Sequence, residues 1–389
     1  MKKVLIISGN NHMCTSGVDM YSKRLISILK KQNCHIDEYS FEINMQKEDF
    51  EKKSDIKIIS PNKSKNFYNK IKIKWWIKNI YNVIYRSRKQ LNNLIDEYDL
   101  VIDSTLMLVR SKKVMNNEKY LYIQHQNADF FEMRRYGFFR LFALFVLKIT
   151  GFKNNFKESR NIVFFDEPNK EYFQRHFKNN EGKKYFTIMN SCIDRKTIEE
   201  NKIIKDQIYK DNKFSHNVIY IGRITVEQKR MNDVKHVLKK TKNKLDVWGF
   251  GTYTKYFKKS HNVRYHGRLE HSKVINTLMH SKISSLWSDY EGFSTSMVES
   301  ICSMTPILVR NSHLSAVFLT NENKNGILLD NKFNLKEYRR VFDEINELSI
   351  ETLKEMSENC YKFAIENLLY ETFEKKWIDV YKEMTENIL

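Results

Sequence analysis

The sequence predicts two α/β domains, each a parallel sheet covered by helices. Three observations carry that expectation. Short apolar runs alternate with segments of helical periodicity from the first residues onward. A polar stretch, Asp194 to His216, interrupts the pattern without strong periodicity. The same alternation then restarts. Alternating elements imply parallel strands joined by crossover helices, and a restart after a linker implies a second such domain. At 389 residues the chain has room for two hydrophobic cores.

The elements follow in order. Val4 to Ser8 reads as a strand, and Val18, Tyr21, Leu25 and Ile28 recur at helical spacing after it. His35 to Phe41, Leu100 to Ile102, Tyr120 to Ile123, Asn161 to Phe165 and Tyr185 to Met189 are further apolar runs of strand length. Asp194 to His216 is expected to be a linker with one or two helical turns. Beyond it come Val218 to Ile221, Leu245 to Trp248, Val263 to His266, Ile283 to Trp287, Ile307 to Val309 and Ile327 to Leu329. The tail from Glu351 is helical by composition.

Charge and cysteine usage narrow the classes. Five scattered cysteines, Cys14, Cys34, Cys192, Cys302 and Cys360, argue for a reducing compartment and against a disulfide framework or a cysteine zinc site. Val4 to Ile7 is too short for a signal-peptide core, and the run from Tyr136 to Phe152 is broken by Arg140 and Lys148, so a cytoplasmic protein is expected. The net charge is +20, and its excess has a location. Residues 61 to 90 hold nine Lys or Arg and no Asp or Glu, mixed with Phe67, Tyr68, Trp75, Trp76, Tyr81 and Tyr85. Met133 to Lys153 places Arg134, Arg135, Arg140, Lys148 and Lys153 around a Phe-rich core. Basic residues mixed with aromatics suit an anionic membrane surface. A solvated helix face over buried rings is the plainer alternative and ranks below the membrane surface, with nucleic acid well behind both.

The chemistry concentrates at the expected strand ends, where doubly wound domains bind ligands. Ser8-Gly9-Asn10-Asn11-His12 and Gly249-Phe-Gly251-Thr-Tyr-Thr254 both lack a complete G-x-G-x-x-G, and no G-x-x-x-x-G-K-[ST] loop exists. Nicotinamide, flavin and nucleoside-triphosphate sites are therefore disfavoured. Glu291-Gly-Phe-Ser-Thr-Ser-Met-Val-Glu299 follows a strand, with Glu291 on a glycine-containing loop and Glu299 in an apolar-periodic run. A strand, loop and helix in that order present N–H groups and a helix N-terminus to an anion, with a carboxylate on either side. A diphosphate flanked by two polyols fits, and a nucleotide-sugar is such a ligand. Ser296-x-x-Glu299 equally fits a capping box that only closes the first helical turn. Gly222-Arg223 and Lys229 supply two cations at another strand end, and His125 follows Tyr120 to Ile123.

In these motifs and their order the chain resembles the retaining, GT-B-fold glycosyltransferases of family 4. Ser16-Gly17-Val18 resembles the family's N-terminal glycine loop, and His125 sits where the family has a His after a central strand. Met189-Asn190-Ser-Cys-Ile193-Asp194 is similar to its P-N-G-[VI]-D segment, with Met and a Ser-Cys pair in place of Pro and Gly. Ile221-Gly222-Arg223 with Lys229 resembles its G-R-[LI]…K segment, Glu291 to Glu299 its E-x7-E motif, and Asn325-Gly326-Ile327-Leu328 also fits.

The resemblance implies two Rossmann-like domains facing a cleft. Residues 1–208 would be the acceptor domain, 209–370 the donor domain, and a last helix, 371–389, would cross back to the first. It implies that Arg223 and Lys229 hold the donor diphosphate, Glu291 the transferred sugar and Glu299 the ribose. Main-chain N–H groups along Gly292, Phe293, Ser294, Thr295, Ser296 and Met297 would meet phosphate and sugar oxygens. Gly17 would let its loop approach the diphosphate, His125 would line the transfer site, and Arg268 and Leu269 would frame the base. No metal or other cofactor is implied, because two cations and a helix dipole replace a divalent ion. The expected function is transfer of a sugar from a UDP-linked donor to a lipid-linked or cell-surface polysaccharide acceptor, at the inner face of the cell membrane. An inactive GT-B partner subunit and a protein-acceptor transferase remain as alternatives.

Overall fold

The computed structural model describes residues 1–10, 17–42, 56–59, 87–105, 111–125, 158–177 and 181–386. The chain divides into two compact units, Met1–Ile188 with Glu374–Leu389, and Met189–Phe373. The division falls at Ile188–Met189 rather than at residue 208, and the stretch expected to be a linker belongs to the second unit.

The first unit holds β1 (Lys3–Asn10), β2 (His35–Glu42), β3 (Lys57–Ile59), β4 (Leu100–Asp103), β5 (Tyr120–Ile123), β6 (Asn161–Phe164) and β7 (Lys184–Thr187). They pair in the order β3-β2-β1-β4-β5-β6-β7, and every pairing is parallel. Strands covered on both faces need continuous apolar runs. Val4 to Ile7 accordingly have no exposed surface, and β4, β5 and β6 are buried throughout. The short strand β3 was not expected; its three residues are below the length at which alternation is readable. The helix Tyr370–Glu386 ends in this unit. There Trp377 is buried and its Nε1 donates to the Tyr21 hydroxyl at 3.1 Å, and Glu374 and Glu383 pair with Lys31 and Lys184 at 2.7 and 3.0 Å.

The second unit holds β8 (His216–Ile221), β9 (Leu245–Trp248), β10 (Val263–Gly267), β11 (Ser281–Leu286), β12 (Ile307–Arg310) and β13 (Gly326–Leu329). Their order is β10-β9-β8-β11-β12-β13, again parallel throughout. Val218, Tyr220, Val247, Ile283, Trp287 and Leu308 form the centre of its core.

The expected linker is instead a 17-residue helix, Arg195–Asp211. Asp194 caps it, accepting from the Thr197 N–H at 2.9 Å, and Asn212 ends it in the left-handed region at φ 50°. Its periodicity was hidden because Asn201 and Lys205 lie on the buried face beside Ile198, Ile208 and Tyr209. Lys205 is 1 % exposed, and its ammonium donates to Met279 O at 2.7 Å, Ser281 O at 3.2 Å and Thr305 Oγ1 at 3.3 Å. Three donors meet three acceptors, so a lysine satisfies a place where an apolar residue is the sequence expectation. Burial pushes its pKa down to about 7.

Two expectations fall outside the described residues. The basic, aromatic stretches lie there, apart from the helix Ser87–Leu94 at the end of the first, as does Ser16 of the glycine loop. Among the described residues no helix is long and apolar enough to cross a membrane.

Lys205→Ala removes all three donors and opens a cavity between the helix and the sheet. The expected cost is about 2–4 kcal/mol, read from thermal or denaturant unfolding of the second unit. A loss below about 0.5 kcal/mol, typical of a surface site, contradicts this account.

Candidate functional site

Strand order places the site. From β8 the chain adds β9 and β10 on one side, then returns to lay β11 against the other side of β8. The crossovers on the two sides leave the sheet in opposite senses, so the loops after β8 and β11 diverge and open a crevice at the carboxyl ends. Gly222 to Arg230 leave β8, and Trp287 to Ser294 leave β11. The switch point therefore brings together Arg223, Lys229 and the Glu291 motif, which lie far apart in sequence.

Close backbone approach shapes this end of the sheet. Gly222 N–H donates to Trp248 O at 3.0 Å, and Ile224 N–H to Phe250 O at 3.0 Å. Gly249 has φ +142°, and a Cβ there would stand 1.8 Å from Gly222 O. Glycine is thus required at 249 for conformation and for space. Phe250 and Arg268 project beyond β9 and β10, both exposed, with the guanidinium 4.0 Å from the ring centroid. Leu269 packs instead against Ile219, Trp248, Val274 and Leu278.

The two loops are bonded to each other. Asp289 N–H donates to Gln228 O at 2.9 Å, and Gln228 Nε2 to Tyr290 O at 3.1 Å. Asp289 sits between two guanidiniums: Arg310 pairs with it directly, and Arg230 Nε is 3.4 Å away. Arg310 also donates to Asn331 O, from Nε at 3.0 Å and from Nη2 at 2.6 Å. On this frame Lys229 and Glu291 form an ion pair, with 9 % and 11 % of their side chains exposed. Arg223 is exposed, its Nη2 donating to Gln228 Oε1 at 2.7 Å. One of the two expected phosphate cations is therefore already paired with the expected sugar ligand, and the other faces solvent.

Glu299 lies in the helix Thr295–Cys302, 8 % exposed, and His271 Nε2 approaches it at 3.3 Å. The capping-box alternative fails here. The N-cap is Ser294, not Ser296, and Ser296 Oγ instead donates to Ile221 O at 3.4 Å. No side chain caps this helix from Ser294, so its first N–H groups and the positive end of its dipole face the crevice end of β11. Phe293 and Met297 are buried and anchor the turn.

In the first unit, Gly17 opens the helix Gly17–Lys31. His125 follows β5 and is 7 % exposed; its Nε2 lies 2.8 Å from Ser104 Oγ, with Tyr21 and Phe165 against the ring at 5.6 and 5.2 Å. Burial lowers its pKa to about 3, so the ring is neutral at physiological pH. Sequence reasoning missed Gln228, Asp289, Arg310 and His313. The run Arg310-Asn-Ser-His313 directly after an apolar strand was the available signal, since polar residues at a parallel strand's carboxyl end sit near the ligand crevice.

Glu291 illustrates the electrostatics. Burial opposes its charge most strongly, yet the Lys229 ammonium, with smaller help from Ser288 and His313, holds the carboxyl below its ordinary value of 4.5. A depressed folded-state pKa contributes stability that is present above the unfolded pKa and is lost as pH falls through the folded value. Lys229→Met reverses the sign. It leaves a buried carboxylate without its cation, costs about 3 kcal/mol at pH 7, and raises the Glu291 pKa. The variant should therefore regain stability relative to wild type as pH falls from about 7 to 5. Parallel pH–stability curves for the two proteins contradict the pairing.

Residues 201–363 match the family described as glycosyl transferases group 1. No curated protein matches the chain in sequence at a significant level. Among solved structures, WaaG, a glycosyltransferase involved in lipopolysaccharide biosynthesis, superposes with a TM-score of 0.69 at 13 % identity, over 97 % of this chain and 99 % of that one. Sucrose-phosphate synthase from Thermosynechococcus elongatus gives 0.69 at 11 %, over the whole of both chains. HepE of Anabaena, in complex with UDP-glucose, gives 0.64 at 12 %, over 98 % of this chain and 100 % of that one. The chain thus has the GT-B fold, and its second unit carries the sequence pattern of group 1 glycosyl transferases.

Proposed function

We propose that the chain is a retaining glycosyltransferase of family 4 that takes its sugar from a UDP-linked donor. The observation that carries this reading is the buried Lys229–Glu291 pair at the β8/β11 switch point, with Glu299 eight residues further on in the following helix. A cation, a helix N-terminus and two carboxylates are the chemistry that a diphosphate between a sugar and a ribose requires. The UDP-glucose complex of HepE, which shares the fold, supports the choice of donor.

In this reading Arg223 and Lys229 hold the diphosphate, Glu291 accepts hydrogen bonds from the transferred sugar, and Glu299 from the ribose. The bond from the anomeric carbon to the diphosphate breaks, and the acceptor oxygen bonds on the same face. The acceptor's proton passes to the departing diphosphate, whose growing charge the two cations and the helix end stabilise. No divalent ion is needed in this scheme. The acceptor is a lipid-linked or cell-surface polysaccharide presented at an anionic membrane surface, a reading supported by the basic, aromatic composition of residues 61–90 and 133–153.

The full chain, incubated with a panel of nucleotide-sugars, should be stabilised thermally by a UDP-sugar and should release UDP in the presence of EDTA. Glu291→Ala should fold and lose turnover, and Arg223→Ala should weaken UDP much more than uridine. Each lost charge-assisted hydrogen bond is worth about 1.5–3 kcal/mol. Activity that EDTA abolishes and Mg²⁺ restores contradicts the metal-free scheme. UDP-sugar binding without turnover favours an inactive partner subunit. Wild-type turnover in Glu291→Ala overturns the site.

A further inference from the structure

His313 is a buried polar group that the scheme above does not use. It follows β12 and is 3 % exposed. Its Nδ1 accepts from the Ala316 N–H at 3.1 Å, capping the short helix Leu314–Val317. An Nδ1 that accepts places the ring proton on Nε2. That Nε2 is fully buried and has no hydrogen-bond partner among the described residues. A buried donor left unsatisfied is destabilising, so its position calls for a partner that arrives in another state of the site.

The surroundings identify that partner. Ser312 Oγ donates to Ser288 O at 2.7 Å, which ties the turn carrying His313 to the loop carrying Glu291. The ring lies within electrostatic reach of both Glu291 and Lys229. Burial lowers its pKa to about 4, with smaller opposing effects from those two neighbours, so it is an uncharged donor at neutral pH. The cap bond to Ala316 holds the ring in place, and Nε2 has no surface for a ligand to touch. The acceptor it can serve is therefore a protein group within the site.

We propose that His313 is a positioning residue for Glu291, whose carboxylate its Nε2–H holds once a bound diphosphate draws Lys229 away. This rests on the donor reading above. Lys229 has two anionic partners in that reading, Glu291 and the diphosphate. When it turns to the phosphates, Glu291 keeps its buried charge but loses its cation, and a further donor beside Ser288 stabilises it. His313 supplies one without adding a second cation, and so keeps the carboxylate aimed at the sugar.

His313→Asn is the informative variant, because Asn is a strong helix N-cap yet carries no Nε2–H. Wild type and His313→Asn are titrated calorimetrically with UDP, UDP-glucose and UDP-N-acetylglucosamine. The expected result is an unchanged melting temperature, UDP affinity within about twofold, and affinity for the preferred UDP-sugar reduced about tenfold, the size of one lost hydrogen bond. Equal losses for UDP and UDP-sugar, or none, overturn the positioning role. A second measurement covers a poorly folded variant. In ¹⁵N-histidine-labelled wild type, the His313 Nε2–H should become a slowly exchanging, hydrogen-bonded proton on addition of the UDP-sugar, and an unchanged signal overturns the proposal. Wild type that binds none of the three ligands brings down the donor reading itself, whereas a retained sugar preference in His313→Asn brings down only His313.

Discussion

The Lys229–Glu291 ion pair is the interaction on which the second unit's crevice depends. It joins the loop that leaves β8 to the loop that leaves β11 at the place where the fold drives those loops apart. Two charges this deeply buried are costly to desolvate, and a pair of this kind gains little stability over an apolar pair of the same shape. Its chemistry is better matched to a ligand than to folding. In the proposed function the lysine exchanges its carboxylate for a phosphate, and the carboxylate it releases accepts from hydroxyls.

The neighbouring structure holds that pair in place. Asp289, paired with Arg310 and approached by Arg230, fixes the start of the Glu291 loop. Arg310 in turn is anchored on Asn331 O. Gln228 links the exposed Arg223 to Tyr290 across the crevice. At the adjacent strand end, Gly249 lets its backbone lie against Gly222 with no room for a side chain. Rigid support of this sort lowers the reorganisation needed when charge develops on a leaving group.

Most strands were legible because parallel strands buried on both faces leave unbroken apolar runs, as in Val4 to Ile7 and Tyr120 to Ile123. The Glu291 to Glu299 motif was legible because strand, glycine loop and helix follow one another locally. Long-range chemistry was not. The helix Arg195–Asp211 read as a linker because its buried face carries Lys205, whose partners Met279, Ser281 and Thr305 are remote in sequence. The same distance hid the pairing of Arg310 with Asp289, and the Ser312–Ser288 bond that ties the turn carrying His313 to the Glu291 loop. Ser296 and Glu299 matched a capping box by spacing, but the helix starts directly after Ser294, with Phe293 and Met297 buried on either side of that start. Spacing identifies which residues can meet; the switch-point topology decides which do.

The most direct test of the account is amide hydrogen exchange on the full chain with and without a UDP-sugar. The account predicts that ligand protection concentrates in residues 222–230 and 289–299, the loops after β8 and β11 and the start of the helix that follows, with little change along β12 and β13. Binding that leaves both segments unprotected, or protects only residues remote from the β8/β11 switch point, contradicts it.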